Sequence, residues 1–307
     1  MAISTLKKSS LRVLITGANG LLGGKLVDLL SKEKVPFLAT SKGPSRLPDD
    51  NIPYQTLDIT DSESIEHCIR DYGPTTIINT AALTQVDQCE TDRVRCWELN
   101  VESVGYLIES SRRSNAHLIH LSTDFIFDGN SGPYCEEDEA NPVNYYGESK
   151  LAAEIRIMDS DITWSIVRTV LVYGATPGLS RSNIILWVKN SLEEGKEIHV
   201  VDDQFRTPTL AEDLAMGCWL VARNRATGTF HISGKDLLTP YDIAQITARH
   251  FSLDKSLIKR TNSKKFKQPA IRPLKTGFVI DKARNEIGYR PHSFEEGLAI
   301  TAAQWLG

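Results

Sequence analysis

Apolar and polar positions alternate along the first half of this chain with two different periods. Leu11–Thr16 is a short, β-branched apolar run that ends in a glycine cluster. Leu21–Leu30 then sets Leu22, Leu26 and Leu29/Leu30 on one side of a helix. Val35–Thr40 is a second apolar stretch, and helical spacing returns at Ser62–Tyr72, where Ile65 and Ile69 fall four apart. Thr76–Asn79, His117–Leu121 and Thr163–Val167 read as further strands, with longer helical segments at about 92–113 and 144–158. Strands alternating with helices of this length predict an α/β fold, a doubly wound parallel sheet covered on both faces.

After about residue 170 the alternation loosens, and Pro177, Gly178, Pro208, Pro240, Pro269 and Pro273 punctuate a mixture of short elements. The expected division is a nucleotide-binding part over 1–170 and a smaller, mainly substrate-binding α/β lobe over 171–307. The second part should lie over the carboxyl edge of the sheet within the same globular unit, some strands returning to the sheet. Ser293 and Glu296 have capping-box spacing, which starts the last helix at Ser293.

Composition narrows the class. Of 307 residues, 41% are hydrophobic and 24% charged, an ordinary globular balance. A formal net charge of −4 argues against a nucleic-acid partner. Cys68, Cys89, Cys96, Cys135 and Cys218 contain no Cys-x-x-Cys pair, which argues against a disulfide framework or zinc cluster and for a reducing compartment. Met1–Ser10 is not followed by a signal-peptide apolar stretch, and no run approaches the roughly 18 apolar residues of a membrane span. The expectation is a soluble, cytoplasmic protein with no membrane partner.

Candidate chemistry appears at two places. The first strand runs into Gly17-Ala18-Asn19-Gly20-Leu21-Leu22-Gly23, a Rossmann-type turn in which backbone N–H groups approach a pyrophosphate at a helix N-terminus. The spacing is G-x-x-G-x-x-G, and Gly24-Lys25-Leu26 excludes a P-loop. The second strand ends Ala39-Thr40-Ser41-Lys42, with Arg46 close behind and no acid before Asp49. A cation without a carboxylate there favours NADPH, with NADH possible; Ser41 and Lys42 would hold a 2′-phosphate, or else form a solvated loop. Asp58 reads either as an acceptor for adenine's amino group or as a helix cap, a place better suited to Asp61 or Ser62. Asn79-Thr80-Ala81-Ala82 closes the fourth strand with residues small enough for a flat ring to pass.

The second place is the end of His117–Leu121, where Ser122-Thr123-Asp124-Phe125 follows, and the helix opening with Tyr145-Tyr146-Gly147-Glu148-Ser149-Lys150. Tyr146 and Lys150 lie four apart and share a helix face. Ketone reduction needs a hydride and a proton for the carbonyl oxygen. A tyrosine near pKa 10 becomes a better proton donor when a lysine ammonium and a positively charged nicotinamide favour its anion. Thr123 would orient the same carbonyl.

With these segments in place, the chain resembles the extended short-chain dehydrogenases, and within them the dTDP-4-dehydrorhamnose reductase family. The resemblance rests on Thr16–Gly23, Ile78–Glu90, Leu99–Val101, Leu121–Gly129, Pro142–Lys150, Arg168–Gly174, Val201–Leu214 and Gly228–Gly234. It implies a catalytic trio of Thr123, Tyr146 and Lys150. It also implies cofactor contacts from Gly17, Asn19, Gly20, Leu21, Leu22, Gly23, Ser41, Lys42, Asp58, Ile59, Ala81, Ala82, Asn100, Tyr146 and Lys150. The substrate side would comprise Val86, Thr123, Asp124, Phe125, Leu171 and Arg206, facing a nucleotide-sugar. Phe125 stands where the family commonly has Tyr, Leu171 where it has Trp, and Arg272-Pro273-Leu274-Lys275 lacks an expected asparagine. All three departures fall on the substrate side.

Phe125 in place of a glutamate argues against a sugar 4,6-dehydratase. A 4-epimerase would use the same Tyr and Lys but hold NAD, against Ser41-Lys42. A third reading is an NADP-binding regulatory subunit, similar to the β subunit of methionine adenosyltransferase. Arg206 meets a nucleotide phosphate or sits on an exposed loop; Asp202-Asp203 hold a cation or form a turn, so a divalent ion stays open. His117 and His120 read as packing or surface residues and not as metal ligands, and no metal site is expected. Val94, Trp97, Val101, Val104, Leu107 and Ile108 form a helical stripe suited either to a homodimer or to packing on the sheet.

Overall fold

The computed structural model describes residues 11–175, 184–265 and 267–306. The leader reading at residues 1–10 and the breakers Pro177 and Gly178 lie outside the described residues. In chain order the elements begin β1 (Val13–Thr16), α1 (Leu21–Lys32), β2 (Phe37–Ser41), β3 (Tyr54–Thr56), α2 (Ser62–Tyr72) and β4 (Thr76–Asn79). There follow α3 (Val86–Thr91), α4 (Arg93–Trp97), a π-helical turn (Glu98–Glu102), α5 (Ser103–Ser114), β5 (His117–Thr123), α6 (Tyr145–Met158) and β6 (Trp164–Thr169). The remainder comprises β7 (Val172–Tyr173), α7 (Ile184–Glu193), β8 (Ile198–Val201), β9 (Thr209–Leu210), α8 (Ala211–Asn224) and β10 (Gly228–His231). The chain closes with α9 (Pro240–His250), β11 (Ile258–Thr261), α10 (Asp281–Glu286) and α11 (Phe294–Leu306).

Seven strands form one sheet in the order β10-β6-β5-β4-β1-β2-β3, and every pairing in it is parallel. The expected doubly wound α/β fold is therefore present. Its central strands are buried along their whole length because both faces are covered: all four residues of β1 and of β4 are buried. One core lies between the sheet and the α1/α8 side and the other beneath α2, α5 and α6. The strand order reverses between β1 and β4, so the connections leaving their carboxyl ends go to opposite faces of the sheet and leave a crevice.

Helix ends follow side-chain chemistry. Asp61 caps α2 by accepting from the Glu63 and Ser64 amides, and Gly73 closes it with φ +62°. Asn144 caps α6 through the Gly147 amide, and the Ser293 hydroxyl and Glu296 carboxylate form the expected capping box before α11. After residue 170 the chain builds the two small sheets β7–β9 and β8–β11, sends α8 against α1, and returns to the main sheet as β10.

The helical segment expected at about 92–113 is present without a gap over 93–114, but it contains a π turn. An extra residue in the π turn at Glu98–Glu102 shifts the face: Val101, Val104, Leu107 and Ile108 are buried against the sheet, whereas Val94 is 82% exposed and Trp97 38%. Spacing alone carries no sign of such an insertion. The short helix α3 was also not anticipated, being too brief for a periodic signal.

One buried ion pair bolts α6 to the sheet. Arg168 Nη2 on β6 lies 2.7 Å from Glu154 Oε2, and both side chains are buried. The guanidinium also donates to the Glu136 carbonyl. Removing one partner strands the other in low dielectric. Glu154→Ala should therefore cost about 3–5 kcal/mol in urea unfolding, while Glu154→Met with Arg168→Met should recover most of that loss.

Candidate active site

The glycine turn is built by steric necessity. Gly17 adopts φ +73°, and a Cβ there would stand 2.8 Å from the Ala81 amide nitrogen. Only glycine lets the β1 turn approach the end of β4 so closely. The Gly20 amide closes the turn on the Gly17 carbonyl at 2.9 Å. No side chain caps α1 at Gly20. The first-turn amides of Leu21 and Leu22 therefore present a partial positive charge in the β1/β4 crevice, the arrangement that receives a phosphate.

Around that turn the expected cofactor residues gather. Asn19 does not project freely: its amide donates to the Pro44 carbonyl at 2.9 Å and accepts from the Arg46 amide at 2.9 Å. It thereby ties the loop after β2 to the glycine turn, and a small cleft remains between them, lined in part by Arg46 and Pro48. Lys42 lies 2.6 Å from Asp58, so the two residues assigned separately to ribose and adenine meet in one ion pair. Burial raises the Asp58 carboxyl, but Lys42 and Thr60 outweigh it and hold the group down to about 2. Ile59 is buried; Ser41, Ala81 and Ala82 are partly buried along the same edge.

At the chemical end, β5 runs two residues further than its apolar pattern and ends on Thr123. The Thr123 hydroxyl accepts from the Phe125 amide at 3.2 Å and donates to Asp124 at 3.1 Å. The Tyr146 phenol is close enough to the Thr123 hydroxyl to be pulled down by it, so two of the three expected catalytic groups lie together. Phe125 packs edge-on to Tyr146 at 6.0 Å, and Val86 lies in the same cluster. Gly147 follows Tyr146 because a Cβ there would collide with the Phe125 carbonyl. Leu171 sits just past β6, 38% exposed, with a left-handed φ of +34°.

Electrostatics here are governed by burial. It pushes the Tyr146 phenol well up, against the lowering pull of the neighbouring Thr123 hydroxyl. Burial likewise brings the Lys150 amine down to about 8, partly offset by the Glu154 charge. Asp124 is raised by burial, opposed by Arg206, and it accepts from the Thr276 hydroxyl.

One expectation is overturned. Arg206 is neither on an exposed loop nor free for a phosphate: it is buried and donates to the carbonyls of Phe205, Leu274 and Pro273. It lies 3.7 Å from Asp124 and so fastens the 273–276 segment to the site. Asp203 accepts from the Ser263 amide and hydroxyl, which ties the end of β8 to the end of β11.

His120, expected as a packing or surface residue, is bound into the site. It is buried, with Nδ1 at 3.0 Å from Asn79 Nδ2 and Nε2 at 3.0 Å from Lys150 Nζ. Lys150 Nζ also donates to the Leu121 carbonyl at 2.6 Å. The available signal was position: His120 lies on the site's own strand, three residues before Thr123. Asn100, expected to support the site, hydrogen-bonds Leu83 main chain and donates to Ser149 at 3.0 Å, linking the loop after β4 to α6. Among the described residues no cluster of three or more His, Cys, Asp or Glu side chains is arranged to hold a metal ion. None of their helices is long and apolar enough to cross a membrane.

Residues 11–306 match the family described as RmlD substrate binding domain. A dTDP-4-keto-6-deoxy-D-glucose reductase of Streptomyces niveus is 33% identical over 284 residues, 91% of this chain and 92% of that protein. Subunit β of methionine adenosyltransferase 2 from Rattus norvegicus is 31% identical, over 81% of this chain and 75% of its own length. The crystal structure of dTDP-4-dehydrorhamnose reductase from Bacillus anthracis, in complex with NADP, superposes with a TM-score of 0.85 at 28% identity. That match covers 96% of this chain and 99% of the other.

The buried amine makes a pH prediction. Lys150 is lowered to about 8 from 10.5, so between those values the folded chain binds fewer protons than the unfolded one. Stability should rise with pH across the lower part of that window, before tyrosine ionisation sets in. Urea midpoints taken at about pH 7.5 and about pH 9.5 should show wild type gaining on Lys150→Met as pH rises. A constant gap would contradict the buried, depressed amine.

Proposed function

This chain belongs to the RmlD substrate binding domain family, and on that footing we propose that it is an NADPH-dependent reductase acting on the 4-keto group of a nucleotide-activated deoxysugar. The observation that carries this reading is the buried Tyr146 phenol beside Thr123 at the end of β5, with Lys150 one turn along α6. The Streptomyces relative is a keto-deoxysugar reductase by name, and the Bacillus structure holds NADP; both support the substrate class and cofactor.

The cradle fits a dinucleotide: the Gly17–Gly23 turn and uncapped α1 amides suit the pyrophosphate, and Ser41, Lys42 and Arg46 suit a 2′-phosphate. When bound, the cofactor supplies the hydride. Thr123 orients the substrate carbonyl through its hydroxyl. Tyr146 transfers its phenolic proton to the carbonyl oxygen, and burial keeps that proton in place until it is needed. The Lys150 ammonium favours the tyrosinate left behind, an attraction strengthened by exclusion of water. Phe125 cannot move a proton, which keeps the site from dehydration chemistry. Asp58 holds Lys42 at 2.6 Å, so a 2′-phosphate would compete with that carboxylate for the ammonium.

Wild type should oxidise NADPH in the presence of dTDP-4-dehydro-6-deoxy-L-mannose generated in situ. Tyr146→Phe should lower kcat by roughly 10²–10⁴-fold with NADPH affinity nearly unchanged. Retained turnover in that variant would remove Tyr146 as proton donor. Measurable NADPH binding with no turnover in wild type would move the assignment to the regulatory reading, which the methionine adenosyltransferase match favours. Lys42→Ala should raise KM for NADPH by roughly tenfold, about 1.4 kcal/mol, with KM for NADH little altered.

A further inference from the structure

A chain of buried side chains crosses three neighbouring strands beneath the site. Thr16 Oγ1 on β1 lies 2.6 Å from Asn79 Oδ1 on β4, Asn79 Nδ2 lies 3.0 Å from His120 Nδ1 on β5, and His120 Nε2 lies 3.0 Å from Lys150 Nζ on α6. Thr16, Asn79 and His120 are each 1% exposed or less. No step of ketone reduction uses the first three, yet each has its polar atoms aimed at the next.

Hydrogen-bond direction makes the chain informative. A lysine ammonium has three donors and no acceptor, so His120 Nε2 must accept from it. The single ring proton of a neutral imidazole then sits on Nδ1. Burial, with Lys150 adding to it, holds the ring neutral. Nδ1–H needs an acceptor, which Asn79 provides with its amide turned by half a rotation, oxygen toward the ring and Nδ2 toward Thr16. That rotation exchanges oxygen for nitrogen and leaves every contact distance in place.

We propose that His120 is a positioning residue for the reductase reaction: as the Nδ1–H tautomer, fixed by Asn79 and Thr16, it accepts a hydrogen bond from the Lys150 ammonium and aims it from the sheet side. The Leu121 carbonyl takes a second ammonium proton, which leaves the third for the open side of the site. The proposal rests on Lys150 serving that reaction, and its direct test does not need turnover.

That test is long-range ¹H–¹⁵N NMR of histidine-labelled wild-type protein near neutral pH, with His120 identified by the signal lost in His120→Gln. The expected result is a proton on Nδ1 and an unprotonated, pyridine-like Nε2. A proton on Nε2, or on both nitrogens, would overturn the proposal whether or not the keto-sugar is turned over. If wild type reduces the sugar, His120→Leu should lower kcat by roughly tenfold to a hundredfold with KM for NADPH nearly unchanged. His120→Gln, whose side-chain oxygen can still accept from Lys150, should restore most of that loss. A folded His120→Leu protein with wild-type kcat would also overturn it. Absence of turnover in wild type would count against the reductase reading alone.

Discussion

The rest of this site depends on keeping a lysine amine inside the protein. Burying an ammonium is costly unless hydrogen bonds and opposite charge compensate for lost water. Lys150 finds its partners in His120 and the Leu121 carbonyl, both on β5, and some compensation in the Glu154 charge. Meeting those partners fixes where α6 lies on the sheet. It thereby fixes Tyr146, one turn earlier, over the end of the same strand. Asn144 at the helix start reaches the Ile271 carbonyl, Ser149 meets Asn100, and Glu154 meets Arg168, so α6 is held along its length.

The nucleotide end obeys a different constraint, close approach of backbone to backbone. There the side chains secure loops more than they present charge, as Asn19 does for Pro44 and Arg46. The crevice exists because the strand order reverses between β1 and β4. One protein thus combines a buried chemical end with a turn whose uncapped helix amides suit a charged ligand.

Much of this was legible in the residues. Helix α2 and strand β4 fall on the ranges that periodicity implied, because both are amphipathic or apolar in unambiguous ways. Thr123, Tyr146 and Lys150 could be named from their spacing and from the chemistry that demands them. Tertiary partners could not. Neither the meeting of His120 with Lys150 nor that of Lys42 with Asp58 is written in local pattern, since each joins elements distant in sequence. Arg206 misled for the same reason: an arginine amid Asp, Phe, Thr and Pro reads as a loop cation until its carbonyl partners are seen. The helical segment at about 92–113 was legible in extent, but its change of face was not, since one extra residue in a turn leaves composition and hydrophobic content untouched.

That inserted residue has a consequence for how the sequence can vary. The π turn at Glu98–Glu102 holds Asn100 inward, where its amide joins Leu83 to Ser149. Deleting a single residue there would yield a smoother helix with better local geometry. It would also turn everything on the amino-terminal side by about 100° relative to α5, taking Val94 and Trp97 to a new bearing and breaking the Asn100 link. A deletion that improves the helix would therefore dismantle the site. In this stretch the register of the chain, more than the identity of any residue, is what variation has to preserve.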